Sequence, residues 1–268
     1  MTRAAFRLGL GLVVLVFTAG AALAHDLWII PKSFRPAAGA TVTVEVRVGE
    51  KFPESMNTPR ATFTRFALVT AAGSTDIAGA EAEGKALAAG FPAPTSGTAA
   101  IVLEGKPNNI VLTPAQFKDY LLHEGLAHIH DERVKRGEAE KSGRENYSRH
   151  SKALIRSAPG EGVATKATGL QLELVPAVDP YDLAPGKPLA VTALFEGKPL
   201  AGLELRAQTV GGEVRRVTTG PDGTATLSFD RPGPWCVAFI HMVRCAGCAD
   251  ADWRSYFGTL TFELPAGR

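Results

Sequence analysis

The chain has 268 residues, with 29 Lys and Arg against 27 Asp and Glu. The first 24 residues carry two of those arginines, Arg3 and Arg7, and no acid, so the remainder balances 27 basic against 27 acidic residues. Phosphate binding needs a basic excess, so nucleic acid is excluded as a partner, and so is an electrostatic membrane anchor.

Residues 1–24 read as a secretory signal peptide. Arg3 and Arg7 form the basic start, Leu8 to Phe17 the apolar run, and Ala22-Leu-Ala24 the small-residue exit. The apolar run is too short to span a bilayer, which takes about 20 apolar residues. No lipobox cysteine lies near the cut and no second apolar run reaches spanning length. The expected product is therefore a periplasmic protein with no membrane insertion after cleavage. Cutting after Ala24 would leave 244 of the 268 residues, enough for one large domain or two small ones.

That cut makes His25 the first residue, with a free α-amine beside its imidazole. The amine has a reference pKa of about 8 and gives up its proton readily to a metal. Amine and ring nitrogen can chelate one ion, as a histidine brace does in copper proteins. The competing reading is that an arbitrary residue follows the cut.

The body of the chain reads as mainly β. Thr41 to Val48 alternates, with its valines on one face. Phe63–Thr70 and Ala99–Leu103 are further strand candidates. Thr113-Pro-Ala-Gln116 opens a helix with Thr as N-cap, Pro at the first helical position and Gln at the third. Phe117, Tyr120 and Leu121 follow at helical spacing, and Gly125 can end the helix. The charged run from Asp131 to Lys152 reads as partly helical and exposed, so the helical insert is expected over about 113–150. Near it Tyr147, Arg149 and Lys152 read as ordinary surface pairing. Ala153–Arg156 returns to strand.

The Gly- and Thr-rich stretch 159–169 suggests a boundary. Seven short strands come after it at sandwich spacing: Leu170–Val175, Leu189–Phe195, Gly202–Thr209, Val214–Thr219, Thr224–Phe229, Trp235–Val243 and Tyr256–Leu264. The expected organisation is two β-sandwich-like domains. The N-terminal one covers 25–165 with the helical insert, and the C-terminal one, 170–268, is immunoglobulin-like. Such a fold implies no chemistry by itself.

His123-Glu-Gly-Leu-Ala-His128 invites comparison with the zinc-protease motif H-E-x-x-H, but its histidines are five apart rather than four. That puts them about 140° apart around a helix, and His123 and His130, which would share a face, about 10 Å apart along it. A metalloprotease is rejected, and His123, His128 and His130 remain candidate loop ligands. His241 sits in the apolar run Trp235–Val243. Alternation puts Cys236, Ala238, Ile240 and Met242 on one face and His241 on the other, with Trp235, Val237, Phe239 and Val243. A histidine there is either a hydrogen-bonded core residue or a metal ligand at a strand end. Cys245 and Cys248 form a Cys-x-x-Cys pair, expected as a disulfide in an oxidising compartment, with thiolate ligation as the alternative. Asp250 and Asp252 could orient a ligating histidine or simply belong to a solvated loop, with Trp253 covering the sheet edge. No nucleophile elbow, phosphate loop or dinucleotide glycine pattern is present, so enzyme chemistry would rest on a redox metal.

His25-Asp-Leu-Trp-Ile-Ile-Pro31, Tyr120 with Glu124-Gly-Leu126, and Tyr147-Ser-Arg149 with Lys152 carry a resemblance. So do Gly197-Lys-Pro-Leu200, the Asp222-Gly223 turn, Gly233-Pro-Trp235, and Asp252-Trp-Arg-Ser-Tyr256 with Leu260-Thr-Phe262. In this order, over essentially the whole exported chain, they resemble a bacterial exported domain-of-unknown-function family labelled the periplasmic component of a cobalt or nickel ABC-type uptake system. The resemblance implies β-rich domains, a divalent transition metal (Ni or Co, with Cu or Zn as alternatives) and a membrane-embedded metal transporter as partner. His25 and His241 fall on the family's leading and late-strand histidine positions, which makes them its implied ligands. The Cys245/Cys248 and His128/His130 pairs depart from the pattern. A copper histidine-brace redox enzyme and a non-metal structural or interaction sandwich are the alternatives.

Overall fold

The computed structural model describes residues 25–54, 63–77, 81–83, 86–184 and 186–266. The expected signal peptide lies outside the described residues. In chain order the N-terminal strands are β1 (Asp26–Pro31), β2 (Thr41–Gly49), β3 (Phe63–Thr70), β4 (Gly73–Asp76), β5 (Glu81–Glu83), β6 (Ala86–Pro92), β7 (Thr98–Gly105) and β8 (Asn108–Leu112). Helices α1 (Pro114–His123) and α2 (Ala127–Lys135) come next, then β9 (Gly143–Arg156). The rest is β10 (Leu172–Pro176), β11 (Leu189–Phe195), β12 (Lys198–Pro199), β13 (Glu204–Thr209), β14 (Arg215–Thr218), β15 (Thr224–Leu227), β16 (Gly233–Arg244) and β17 (Trp253–Leu264). The protein is mainly β, a layered sandwich with a helical insert.

A nine-stranded sheet forms the middle layer, in the order β14-β13-β16-β17-β9-β7-β3-β4, with β8 also paired to β9. Its pairs are antiparallel except β17 on β9, which run parallel from Trp253 opposite Glu145 to Thr261 opposite Ala153. On one face lies the sheet β1-β2-β6-β5, whose Leu27, Ile29 and inward valines of β2 pack on Ile101, Leu103, Ala153 and Ile155. The two helices cover the rest of that face, setting Phe117, Tyr120, Leu121 and Ile129 against Ile240, Trp253 and Phe257. On the opposite face, β10, β11, β12 and β15 close over Val102, Leu154, Val237, Phe239 and Leu260. The central strands bury side chains on both faces, because side chains alternate and both faces are covered.

Two expectations change here. The helical insert ends at Lys135, and from Gly143 the chain runs as a 14-residue strand at the centre of the sheet. Lys152, expected at the surface, is 1% exposed and ion-paired with Glu173 at 2.6 Å. The stretch 159–169 does not divide the sheets, since β9 and β17, from either side of it, pair along nine residues.

Helix α1 starts as its sequence indicates. The Thr113 side chain accepts from the Gln116 backbone N–H and the Gln116 side chain accepts from the Thr113 backbone N–H. It ends at Gly125, whose φ of +75° suits only glycine, and a Cβ there would lie 2.6 Å from Glu204 Oε1. This break separates His123 on α1 from His128 and His130 on α2.

Candidate functional site

The start of β1 lies over the end of α1 and the middle of β13. His25, Asp26, Glu50, His123, Glu124 and Arg206 line one cleft of about 220 Å³ there. The chain enters it on a fixed path. His25 carbonyl accepts from Arg149 Nε at 3.2 Å, and Leu27 carbonyl accepts from the Ser151 and Thr259 hydroxyls at 2.8 and 2.7 Å. These donors come from the central strands, so β1 is held by side chains of the sheet beneath it.

His25 Nδ1 is buried and has no hydrogen-bond partner. Its nearest acid oxygen, Glu50 Oε1, is 3.6 Å away, beyond hydrogen-bond reach. Beneath the cleft, Arg206 reaches Asp26 at 3.2 Å with one guanidinium nitrogen and Glu124 with the other. All three are largely buried, with side chains 6%, 8% and 11% exposed. Burial pushes the Asp26 carboxyl above its ordinary value, against the pull of Arg206 and Arg149. Cys236, behind Asp26 with Trp28 and Phe52, is fully buried, and its thiol is pushed well up by burial and by the Asp26 charge. A thiol so held packs as a small core side chain.

His241, expected as the second ligand beside His25, lies on the other face of the sheet. The alternation along β16 holds: Trp235, Val237 and Phe239 pack in the core opposite β1, and the His241 ring stands 4.7 Å from the Phe195 ring and 6.2 Å from that of Tyr256. Arg206 and β1 meet the face that bears Cys236. His241 and His128 instead line a separate cleft of about 100 Å³ at the sheet edge. Burial and the neighbouring His128 hold the His241 imidazole below its ordinary pKa. His130 lies on α2 and lines neither cleft. Of the five histidines singled out, the fold thus brings His25 to His123 and His128 to His241.

Cys245 and Cys248 are joined as a disulfide, with Cα atoms 5.7 Å apart. Asp252 is held by Arg144 at 2.8 and 3.0 Å, and Asp250 accepts from Asn109, so both carboxylates are engaged away from the histidines. Trp253 is buried beneath the Arg244 guanidinium, 5.0 Å from its ring. Ser148, His150 and Glu104 form a hydrogen-bonded chain of 2.9 and 3.3 Å. Ser148 and His150 are buried, which leaves a substrate no access to that hydroxyl. Among the described residues no three His, Cys, Asp or Glu side chains converge to hold a metal ion. Among them, too, no helix is long and apolar enough to cross a membrane.

Arg149 and Arg206 are the site residues that sequence reasoning missed. The only signal was the position of Arg206 among apolar residues in a strand candidate, which marks a buried charge in need of partners.

Fold and cleft define a layered β-sandwich protein with a buried charge cluster beneath a cleft lined by His25 and His123. The chain belongs to the family described as Domain of unknown function (DUF4198), whose model matches residues 22–243. No curated protein matches it. Among solved structures it is similar to FdeC, an Escherichia coli adhesin, at 14% identity, covering 91% of this chain and 65% of that one with a TM-score of 0.26. It is also similar to the Yersinia pseudotuberculosis adhesin InvE, at 10% identity, covering 91% and 59%, with a TM-score of 0.25. The chain thus spans less than two thirds of either, and at such TM-scores the likeness carries no argument about function.

Proposed function

We propose that this is an exported protein that binds a divalent transition-metal ion in the cleft at His25. The observation that carries this reading is the unpartnered, buried Nδ1 of His25 in a cleft that His123 and Glu50 also line. Removal of residues 1–24 would free the α-amine of that same residue. An ion held by the amine and Nδ1 closes a six-membered ring, whereas Nε2 points away from the amine. The nitrogen without a partner is therefore the one a chelate needs. Since side chains alone do not assemble three donors among the described residues, the amine is the donor that export adds, and His123 and Glu50, which line the same cleft, are the proposed further donors. Amine and imidazole nitrogens suit Cu, Ni, Co and Zn. On this reading His123 takes the part the sequence assigned to His241, and hand-over of Ni or Co to a membrane-embedded transporter is the role proposed for the bound ion.

Calorimetric titration of protein beginning at His25 with Ni(II), Co(II) and Cu(II) tests the reading. One ion per chain is expected, with binding lost in His25→Ala, weakened in His123→Ala and kept in His241→Ala. Equal affinities in the parent and His25→Ala would overturn it. Absence of any ion binding would favour the rival, a non-metal interaction sandwich.

A further inference from the structure

The geometry points to Arg206 as a positioning residue that sets the spacing between the imidazoles of His25 and His123. This rests on the reading of their cleft as a metal site. Arg206 makes its hydrogen bonds and ion pairs with neither histidine. It grips the residue next in sequence to each of them: Asp26 after His25, at 3.2 Å, and Glu124 after His123. His25 precedes a strand of the outer sheet and His123 closes a helix; the central sheet holds each separately, and a direct link would tie one to the other. The guanidinium does so from β13, where Arg206 stands opposite Ala238 of the central sheet.

The clamp has limited freedom. Planar guanidinium can serve two carboxylates at once through separate nitrogens, which an ammonium does only loosely. The Glu124 backbone N–H donates to Tyr120 carbonyl at 3.0 Å, and Gly125 comes next with its positive φ, so Glu124 cannot swing without unwinding the helix end. Asp26 pairs with Gly49 at the start of the β1–β2 register. A force on either carboxylate is thus passed to the neighbouring histidine through one peptide unit. Mutating groups that orient ligands from outside the coordination sphere commonly costs about 10–100-fold in metal affinity.

The test uses Cu(II) as probe on protein beginning at His25. Arg206→Lys keeps the buried charge balance but not the two-armed grip. It is expected to weaken Cu(II) about 10–100-fold and to change the Cu(II) electron paramagnetic resonance spectrum to that of His123→Ala. Since Arg206 acts through His123, adding Arg206→Lys to His123→Ala should cost little more. In metal-free protein the His123 ring resonances should also move. Parental affinity and spectrum in Arg206→Lys, or a full additive loss in the double variant, would overturn the clamp while leaving the metal site standing. No Cu(II) binding by the parent would overturn both. Should Arg206→Lys not fold, Glu124→Gln replaces it: it removes the charge from one arm, is expected to weaken Cu(II) in the same direction, and overturns the clamp if it leaves affinity and spectrum unchanged.

Discussion

Glu145 faces inward from β9 into the layer between the central sheet and α1, where the hydroxyls of Tyr120 and Ser255 both donate to Oε1 and Oε2 has no partner. Burial raises its carboxyl from 4.5 to about 7, against the pull of those two hydroxyls. The folded protein therefore holds a proton between those values that the unfolded chain releases. The stabilisation is fully present below 4.5 and is lost as pH rises toward 7, by about 3 kcal/mol at 1.36 kcal/mol per unit. The raised Asp26 acts in the same sense. Urea midpoints between pH 4 and pH 8 should fall across this window and flatten in Glu145→Gln; an unchanged slope in the variant would assign the effect elsewhere. Residues of this kind are not legible in the sequence. His25 can be found because a cleavage pattern marks it, whereas Glu145, Arg149 and Arg206 gain their meaning from partners on other strands.

At the scale of elements, legibility tracks pattern. The alternating valines of β2 and the capping box of α1 are local signals, and both elements form where they indicate. Strand β9 is hidden because Arg144, Glu145, Arg149 and Lys152 interrupt any apolar alternation, and each is paired only through tertiary contacts. The alternation in β16 separates His241 from Cys236 in the sequence as in the structure. It does not say which face β1 covers. Loss of the Thr113 cap should cost about 1 kcal/mol, measurable as a shift in the denaturation midpoint of Thr113→Ala. Gly125→Ala should cost more than that, since it combines a strained φ with a clash against Glu204. It should also weaken ion binding by moving His123. A melt and metal affinity matching the parent would show that the helix end does not set the cleft.

At the scale of the molecule, the layered arrangement depends on contacts far apart in sequence. The parallel pairing of β17 with β9 and the seating of β1 on the hydroxyls of Ser151, Thr259 and Thr261 leave no local trace. For that reason a boundary read from glycine and threonine content falls within one continuous architecture. The Lys152–Glu173 pair ties the central sheet to the layer above it, and Glu173 also accepts from the backbone N–H groups of Thr168 and Gly169. Removing one partner strands a buried charge, so Lys152→Met should cost about 3–5 kcal/mol, while Lys152→Met with Glu173→Leu should recover much of it. Chemical denaturation of the two variants checks this. Equal loss in both would mean that Glu173 matters mainly for the loop it caps.

The metal reading depends on a donor that exists only if the polypeptide begins at His25. The most direct measurement is Cu(II) affinity by competition titration for two proteins differing by one residue, beginning at His25 and at Ala24. The extra alanine turns the α-amine of His25 into an amide but brings its own amine within reach of an ion, so the Ala24 form is compared with its α-amine acetylated, which leaves every side chain in the cleft unchanged. Tight binding by the protein beginning at His25 and its loss in the acetylated form is the predicted result; equal binding by both would contradict the account.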